Sequence, residues 1–134
     1  MSEIPDLVNT DNKISPLEVA TNLTEYWSPQ VIGEVNDCYI KVAKLKGEFV
    51  WHAHDDEDEM FLILKGQLSI EQEDKVIDLT EGEIFVVKKG VRHNPVAKEE
   101  CLVMLLEPKN TLHTGDVIDD KTKTISQQLN NLND

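Results

Sequence analysis

Basic residues are scarce in this chain: 13 Lys and Arg stand against 26 Asp and Glu, a formal net charge of −13. A surface of that sign repels phosphate backbones and anionic lipid headgroups, so neither nucleic acid nor a membrane is expected as a partner. Long apolar runs are missing as well. Neither end carries a basic segment followed by an apolar stretch of signal-peptide length, and no run approaches the roughly 20 residues that span a bilayer, so a cytoplasmic protein is expected. There are two cysteines, Cys38 and Cys101, without CxxC spacing. They give no support to a redox pair or a thiolate zinc site, fit a reducing compartment and read as small apolar fillers. Length is a further limit. At 134 residues the chain has room for one core, and a domain this small gains from association, so a homodimer is expected.

Three stretches differ in texture. Residues 1–36 form an arm with one helix signal, Ser15-Pro16-Leu17-Glu18, in which a hydroxyl N-cap precedes Pro at the first helical position and Glu follows three residues after the cap. The spacing predicts a helix from Ser15 to Trp27, stopped by Ser28-Pro29, with the first dozen residues loose. Residues 37–108 turn to short runs rich in Val, Ile, Leu and Phe divided by Gly and charged residues, the pattern of a small all-β domain. The predicted strands are Cys38–Leu45, Glu48–Ala53, Met60–Leu64, Gln67–Glu71, Val76–Leu79, Ile84–Val87, His93–Ala97 and Leu102–Glu107. No segment among them is a helix long enough to link parallel strands, so an antiparallel sandwich or barrel is preferred. Residues 109–134 form a polar tail, partly disordered by composition.

Chemistry concentrates in Trp51-His52-Ala53-His54-Asp55-Asp56-Glu57-Asp58-Glu59-Met60. On a strand, His52 and His54 share a face with Cα atoms about 6.6 Å apart, close enough for both rings to meet one ion. Imidazole with carboxylate suits borderline divalent ions better than calcium, which prefers oxygen shells. Taken alone, the pair is also compatible with two exposed residues on an alternating edge strand. The acidic run is likewise compatible with a solvated turn.

Further signals fall at coordinated distances, and here the chain resembles the cupin superfamily. Gly47 precedes a strand with His52 and His54, four residues separate His54 from Glu59, and Met60 to Lys65 are the six residues before Gly66. The family's second motif runs from Gly82 to His93, with Gly90 three residues before the histidine. The resemblance implies a jelly-roll β-barrel (double-stranded β-helix) over Asp37 to Pro108. It also implies one divalent metal ion of the iron, manganese, nickel or zinc class, held by His52, His54, Glu59 and His93. Lys88 stands where many members carry proline, and Gly47 to His52 is one residue short of the commonest gap. A closer likeness is to small bacterial cupins called mannose-6-phosphate isomerase-like, carried by Leu45 to His52, Leu105-Leu106-Glu107-Pro108 and Thr114-Gly115-Asp116; a fold does not fix a function.

Three imidazoles and a carboxylate leave about two positions of an octahedral shell open. The expected function is therefore that of a metal-dependent enzyme on a small molecule, of oxygenase or isomerase type. A metal- or ligand-binding cupin without turnover is the alternative. A metal-free epimerase-like site would need a His and Tyr pair, and Tyr39 has no evident partner; Glu59 argues against the thiol dioxygenase branch. Val50, Phe61 and Ile63 share the parity of the ligands and are expected to line the pocket. Trp51 should face away from the metal, packing under the helix or at a dimer contact. Arg92 is expected as a solvated rim charge and His113 as an ordinary surface residue.

Overall fold

The computed structural model describes residues 13–117 and 121–130. The loose first dozen residues and the end of the tail expected to be disordered lie outside them. Helix α1 covers Pro16–Thr21, and the Ser15 hydroxyl accepts the Glu18 N–H at 3.2 Å as its cap signal requires. It stops earlier than Trp27. Asn22 closes it, its backbone N–H and its side-chain amide both turning back to the Glu18 carbonyl, and a short amide side chain competes well with helix propagation. Trp27 then adopts a left-handed backbone, φ 58°, and turns its ring into the core.

Seven strands follow: β1 Gln30–Val35, β2 Cys38–Glu48, β3 Glu59–Lys65, β4 Leu68–Gln72, β5 Val76–Leu79, β6 Ile84–Val87 and β7 His93–Pro108. All pairings are antiparallel, in the order β1-β2-β7-β3-β6, with β4 joining β7 and β5 joining β4. β1 was not expected. Gly33 interrupts its apolar pattern, as glycine in a strand often does at a bulge, and the register with β2 shifts at that point.

The two segments expected around Lys98-Glu99-Glu100 are one strand, β7, whose halves have different neighbours. Its first half pairs with β4 and its second half with β3, while β2 runs along both with a register shift between Leu45 and Gly47. β7 is therefore the branch point of one seven-stranded sheet, joining a half with β3 and β6 to a half with β4 and β5. These two half-sheets share one core and do not close through a continuous hydrogen-bonded ring, since β1, β5 and β6 each pair on one side. A tight turn joins β3 to β4 at Gly66, φ 89°, where a Cβ would sit 2.9 Å from the Glu100 carbonyl oxygen, so glycine is required there.

The expected strand Glu48–Ala53 does not form beyond Glu48. The chain leaves β2 and keeps contact with β7 through the Phe49 N–H to Pro95 carbonyl bond and a two-residue bridge between His52 and His93. Both half-sheets contribute to the main core: Ala43 and Leu45 from β2, Phe61 and Ile63 from β3, Leu68 and Ile70 from β4, Val103 and Leu105 from β7. A second cluster, with Ala20, Ile32, Val42 and Leu102, seats α1 on the outer face. Helix α2, Ile125–Asn130, returns Leu129 to Val31 and Tyr39. Among the described residues no helix is long and apolar enough to cross a membrane.

Set into this apolar interior is an ion pair, Lys41 Nζ to Glu107 Oε1 at 2.7 Å, both side chains wholly buried. Lys41 also donates to the Thr111 carbonyl at 3.3 Å. Removing one member of such a pair strands the other charge and costs about 3–5 kcal/mol, whereas replacing both with apolar groups costs far less. Lys41→Met should lower the urea unfolding free energy by that amount, and Lys41→Met with Glu107→Leu should recover most of it. Ile70→Ala, which opens a cavity at a site with no exposure, should cost about 2–5 kcal/mol in the same measurement.

Candidate metal centre

Three chain segments bring four side chains together. The loop after β2 carries His52 and His54, the first residue of β3 is Glu59, and the first residue of β7 is His93. His52 and His93 are fastened by reciprocal backbone bonds, N–H to carbonyl at 3.0 and 2.9 Å, and the His54 carbonyl accepts the Gly90 N–H at 2.8 Å. All four residues are buried, and one donor atom from each lies within 4.8 Å of the other three. The ring centroids of His52 stand 4.3 Å from His93 and 5.0 Å from His54.

The orientation of two rings follows from their outer nitrogens. His52 Nδ1 lies 2.8 Å from the Val50 carbonyl and His93 Nδ1 lies 3.0 Å from the Val91 carbonyl. A carbonyl only accepts, so each Nδ1 carries the proton and each Nε2 presents its lone pair inward, the arrangement that fixes metal-binding histidines. The inward atoms His52 Nε2, His54 Nε2, Glu59 Oε1 and His93 Nε2 are all buried without an aligned hydrogen bond. His54 Nε2 and His93 Nε2 lie 3.2 and 3.6 Å from Glu59 Oε1, close enough for all four atoms to surround one point. Buried polar atoms left unpaired are costly, and a divalent cation at that point satisfies all four at once. The donor set fits such an ion.

Electrostatics follow from burial and neighbours. Burial pushes the His52 ring down to about 4, and the neighbouring His93 adds to it. Burial acts the same way on His54, but the Glu59 carboxylate beside it outweighs that and leaves its pKa raised. Glu59 is pulled upward by burial, yet His54 and His93 hold it well below the usual carboxylate range. Burial and the adjacent Glu59 raise the pKa of Glu107, and the Lys41 ammonium at 2.7 Å opposes them.

Two spaces adjoin the centre. Inside the fold is a cavity of about 30 Å³ lined mainly by apolar groups, including Trp27, Phe49, Phe61 and Leu105, with His52, Glu59 and His113 at its polar end. On the other side an open cleft of about 200 Å³ meets His54, and its charged lining, Asp55, Asp56, Glu57 and Asp116, is entirely acidic. Of the residues expected to line the pocket, Phe61 borders the inner cavity. Ile63 lies deeper in the core, and half-buried Val50 packs against that core, its carbonyl holding His52.

Trp51 and Arg92 are exposed, and it is Trp27, not Trp51, that stacks on Phe49, at 4.5 Å between centroids. His113 corrects the sequence reading. It is buried, its ring stacked at 5.4 Å on Phe49 and its Nε2 2.7 Å from the Lys121 carbonyl. Burial pushes its pKa down to about 4. Its polar sequence neighbours hid this, because Thr111 and Thr114 are buried with it. Lys41 and Glu107 were also missed as parts of the surroundings. Their strand parity matches the inward faces of Ala43 and Leu105, which was the available signal.

Comparison with known proteins agrees with this architecture. The cupin domain family (Cupin_2) matches residues 39–107. YdbB, an uncharacterised protein of Bacillus subtilis (strain 168), is 36% identical over 94 residues, 69% of this chain and 83% of its own. The crystal structure of a cupin-2 domain protein from Shewanella frigidimarina NCIMB 400 is 46% identical, covering 71% of this chain and 93% of that one, with a TM-score of 0.69. Protein NMB1881 from Neisseria meningitidis is 28% identical, covering 72% and 99%, with a TM-score of 0.66. A chain that carries this domain match, these relatives and this fold belongs to the cupin family.

Proposed function

We propose that this protein is a metal-dependent enzyme of oxygenase or isomerase type, acting on a small molecule at one divalent ion held by His52, His54, Glu59 and His93. The observation that carries the reading is the convergence of four buried, unpartnered donor atoms within 4.8 Å. Iron, manganese, nickel and zinc all suit three imidazoles and a carboxylate, and about two octahedral positions are left for other ligands. Such an ion supplies Lewis-acid polarisation of a coordinated oxygen.

The chain's own residues set what reaches it. The acidic cleft at His54 favours a neutral or cationic substrate and repels a phosphorylated one, which weighs against a sugar phosphate. Apart from the four donors, none of the carboxyl groups that line the cleft, Asp55, Asp56, Glu57 and Asp116, is buried, and Glu107, which is buried, is paired with Lys41, so nothing sets one carboxyl apart as acid and another as base. That favours the oxygenase type over an isomerase, which needs an acid and base beside the substrate. It also supports the second reading, a cupin that binds metal or ligand without turnover. Exposed Ile84 and Val86 on edge strand β6 support a homodimer.

Elemental analysis of the purified protein, before and after chelation, should find about one equivalent of a transition metal. His52→Ala and His93→Ala should each lose it while keeping the far-ultraviolet dichroism of the folded sheets. Metal content unchanged by both substitutions overturns the site.

A further inference from the structure

The tail does something specific at the metal centre. After β7 the chain turns back at Thr111, whose N–H bonds to the Pro108 carbonyl, and crosses the loop that carries His52 and His54. Asp116 meets Ala53, the residue between those two histidines, through both of its backbone groups. The Asp116 N–H donates to the Ala53 carbonyl at 2.9 Å, and the Ala53 N–H donates to Asp116 Oδ1 at 3.0 Å. Gly115 lies so close that an added Cβ would overlap the Ala53 carbonyl oxygen and come within 2.8 Å of His52 Cδ2. Its φ of 60° independently favours glycine. The segment is anchored at its other side by His113 against Phe49 and by Thr114 Oγ1 to Thr122 Oγ1 at 2.8 Å. It lies wholly beyond residues 39–107, the part matched by the cupin domain.

We infer that residues 111–116 form a strap that positions the His52/His54 half of the metal site, with Gly115 and Asp116 as its positioning residues. The inference rests on the metal reading above. The half-site needs such support because Phe49 to His54 is not a regular strand: among the described residues its backbone is held to β7 at Phe49 and His52, and to the turn before β7 at His54 through Gly90, which leaves Ala53 between them. Ala53 therefore has no ladder partner, and the strap supplies one. Fixing its peptide groups fixes the two ring-bearing Cα atoms on either side. The Gly115 backbone against the His52 ring blocks one direction of ring movement, while the Val50 carbonyl holds Nδ1 on another. Groups that orient ligands in this way typically account for 10–100-fold in metal affinity.

The test is titration of the chelated full chain with cobalt(II) alone, read from its visible absorption, beside hydrogen exchange of the Ala53 amide in the metal-free protein. Asp116→Ala and Gly115→Ala should weaken cobalt(II) binding by about 10–100-fold, alter the absorption band and speed Ala53 exchange. Asp116→Asn retains the accepting oxygen and should behave as the wild type. If Gly115→Ala fails to fold, judged by dichroism of the metal-free protein, the Asp116→Ala and Asp116→Asn pair still decides. Wild-type affinity and band shape in Asp116→Ala overturn the strap while leaving the metal site standing. An Asn variant as weak as the Ala variant also overturns it, because the accepting oxygen is then not what matters. A wild-type chain that takes up no cobalt(II) or other divalent metal overturns the metal reading, and the positioning role falls with it.

Discussion

The site depends on the reciprocal backbone bridge between His52 and His93. These residues come from distant parts of the chain, and neither lies in a regular ladder with the other's strand. The bridge sets their rings 4.3 Å apart and requires β7 to begin where the continuation of β2 passes. That is possible because β7 is shared between two half-sheets, with β2 following it through a register shift at Leu45 and Gly47. Displacing the bridge would separate the loop pair from Glu59 and His93 together. The apolar core between the half-sheets supplies the stability that burying four unpaired donors consumes.

Around the donors lies an electrostatic arrangement with its own logic. Two buried carboxyl groups, Glu59 and Glu107, are neighbours, an arrangement that disfavours ionising both. Lys41 answers Glu107 at 2.7 Å, which leaves Glu59 as the carboxylate turned toward the histidines. A buried ion pair is weak support for stability in itself. Here its position separates the two acids by role, one neutralised by a lysine and one directed at a cation site. The same lysine reaches the Thr111 carbonyl, so the pair also touches the start of the strap.

What the sequence disclosed, and what it withheld, follows from the range of each interaction. His52, His54, Glu59 and His93 were legible because their spacings are local within two motifs, and the structure brings all four together. Strands β5 and β6 were legible from short, mainly apolar runs bounded by turn residues, with the bounds observed. β1 was hidden by Gly33, and the continuity of β7 by Lys98-Glu99-Glu100, three exposed charged residues that read as a turn but continue the strand. The short α1 reflects competition from the Asn22 side chain, which a cap-and-proline reading of its ends overlooks. His113 was hidden most deeply. Its burial depends on Phe49 having left β2 to offer a ring face, a tertiary event with no local pattern.

The two sides of the centre differ in size and charge, and that difference limits where selectivity can reside. The inner cavity, about 30 Å³, exceeds the volume that admits one water molecule but is far below that of a typical organic ligand site. It therefore suits a water- or dioxygen-sized guest, and its walls are the core of the fold, so enlarging it would unpack Trp27 from Phe49. The open side beyond His54 has about 200 Å³ and is built from the acidic turn and the strap rather than from strands. Its lining, Asp55, Asp56, Glu57, Asn110, Leu112 and Asp116, lies outside the regular strands and can change without disturbing the sheets. Glu59 and His93 open strands, while His52 and His54 stand on a loop pinned to β7, and the turn and strap border the open side.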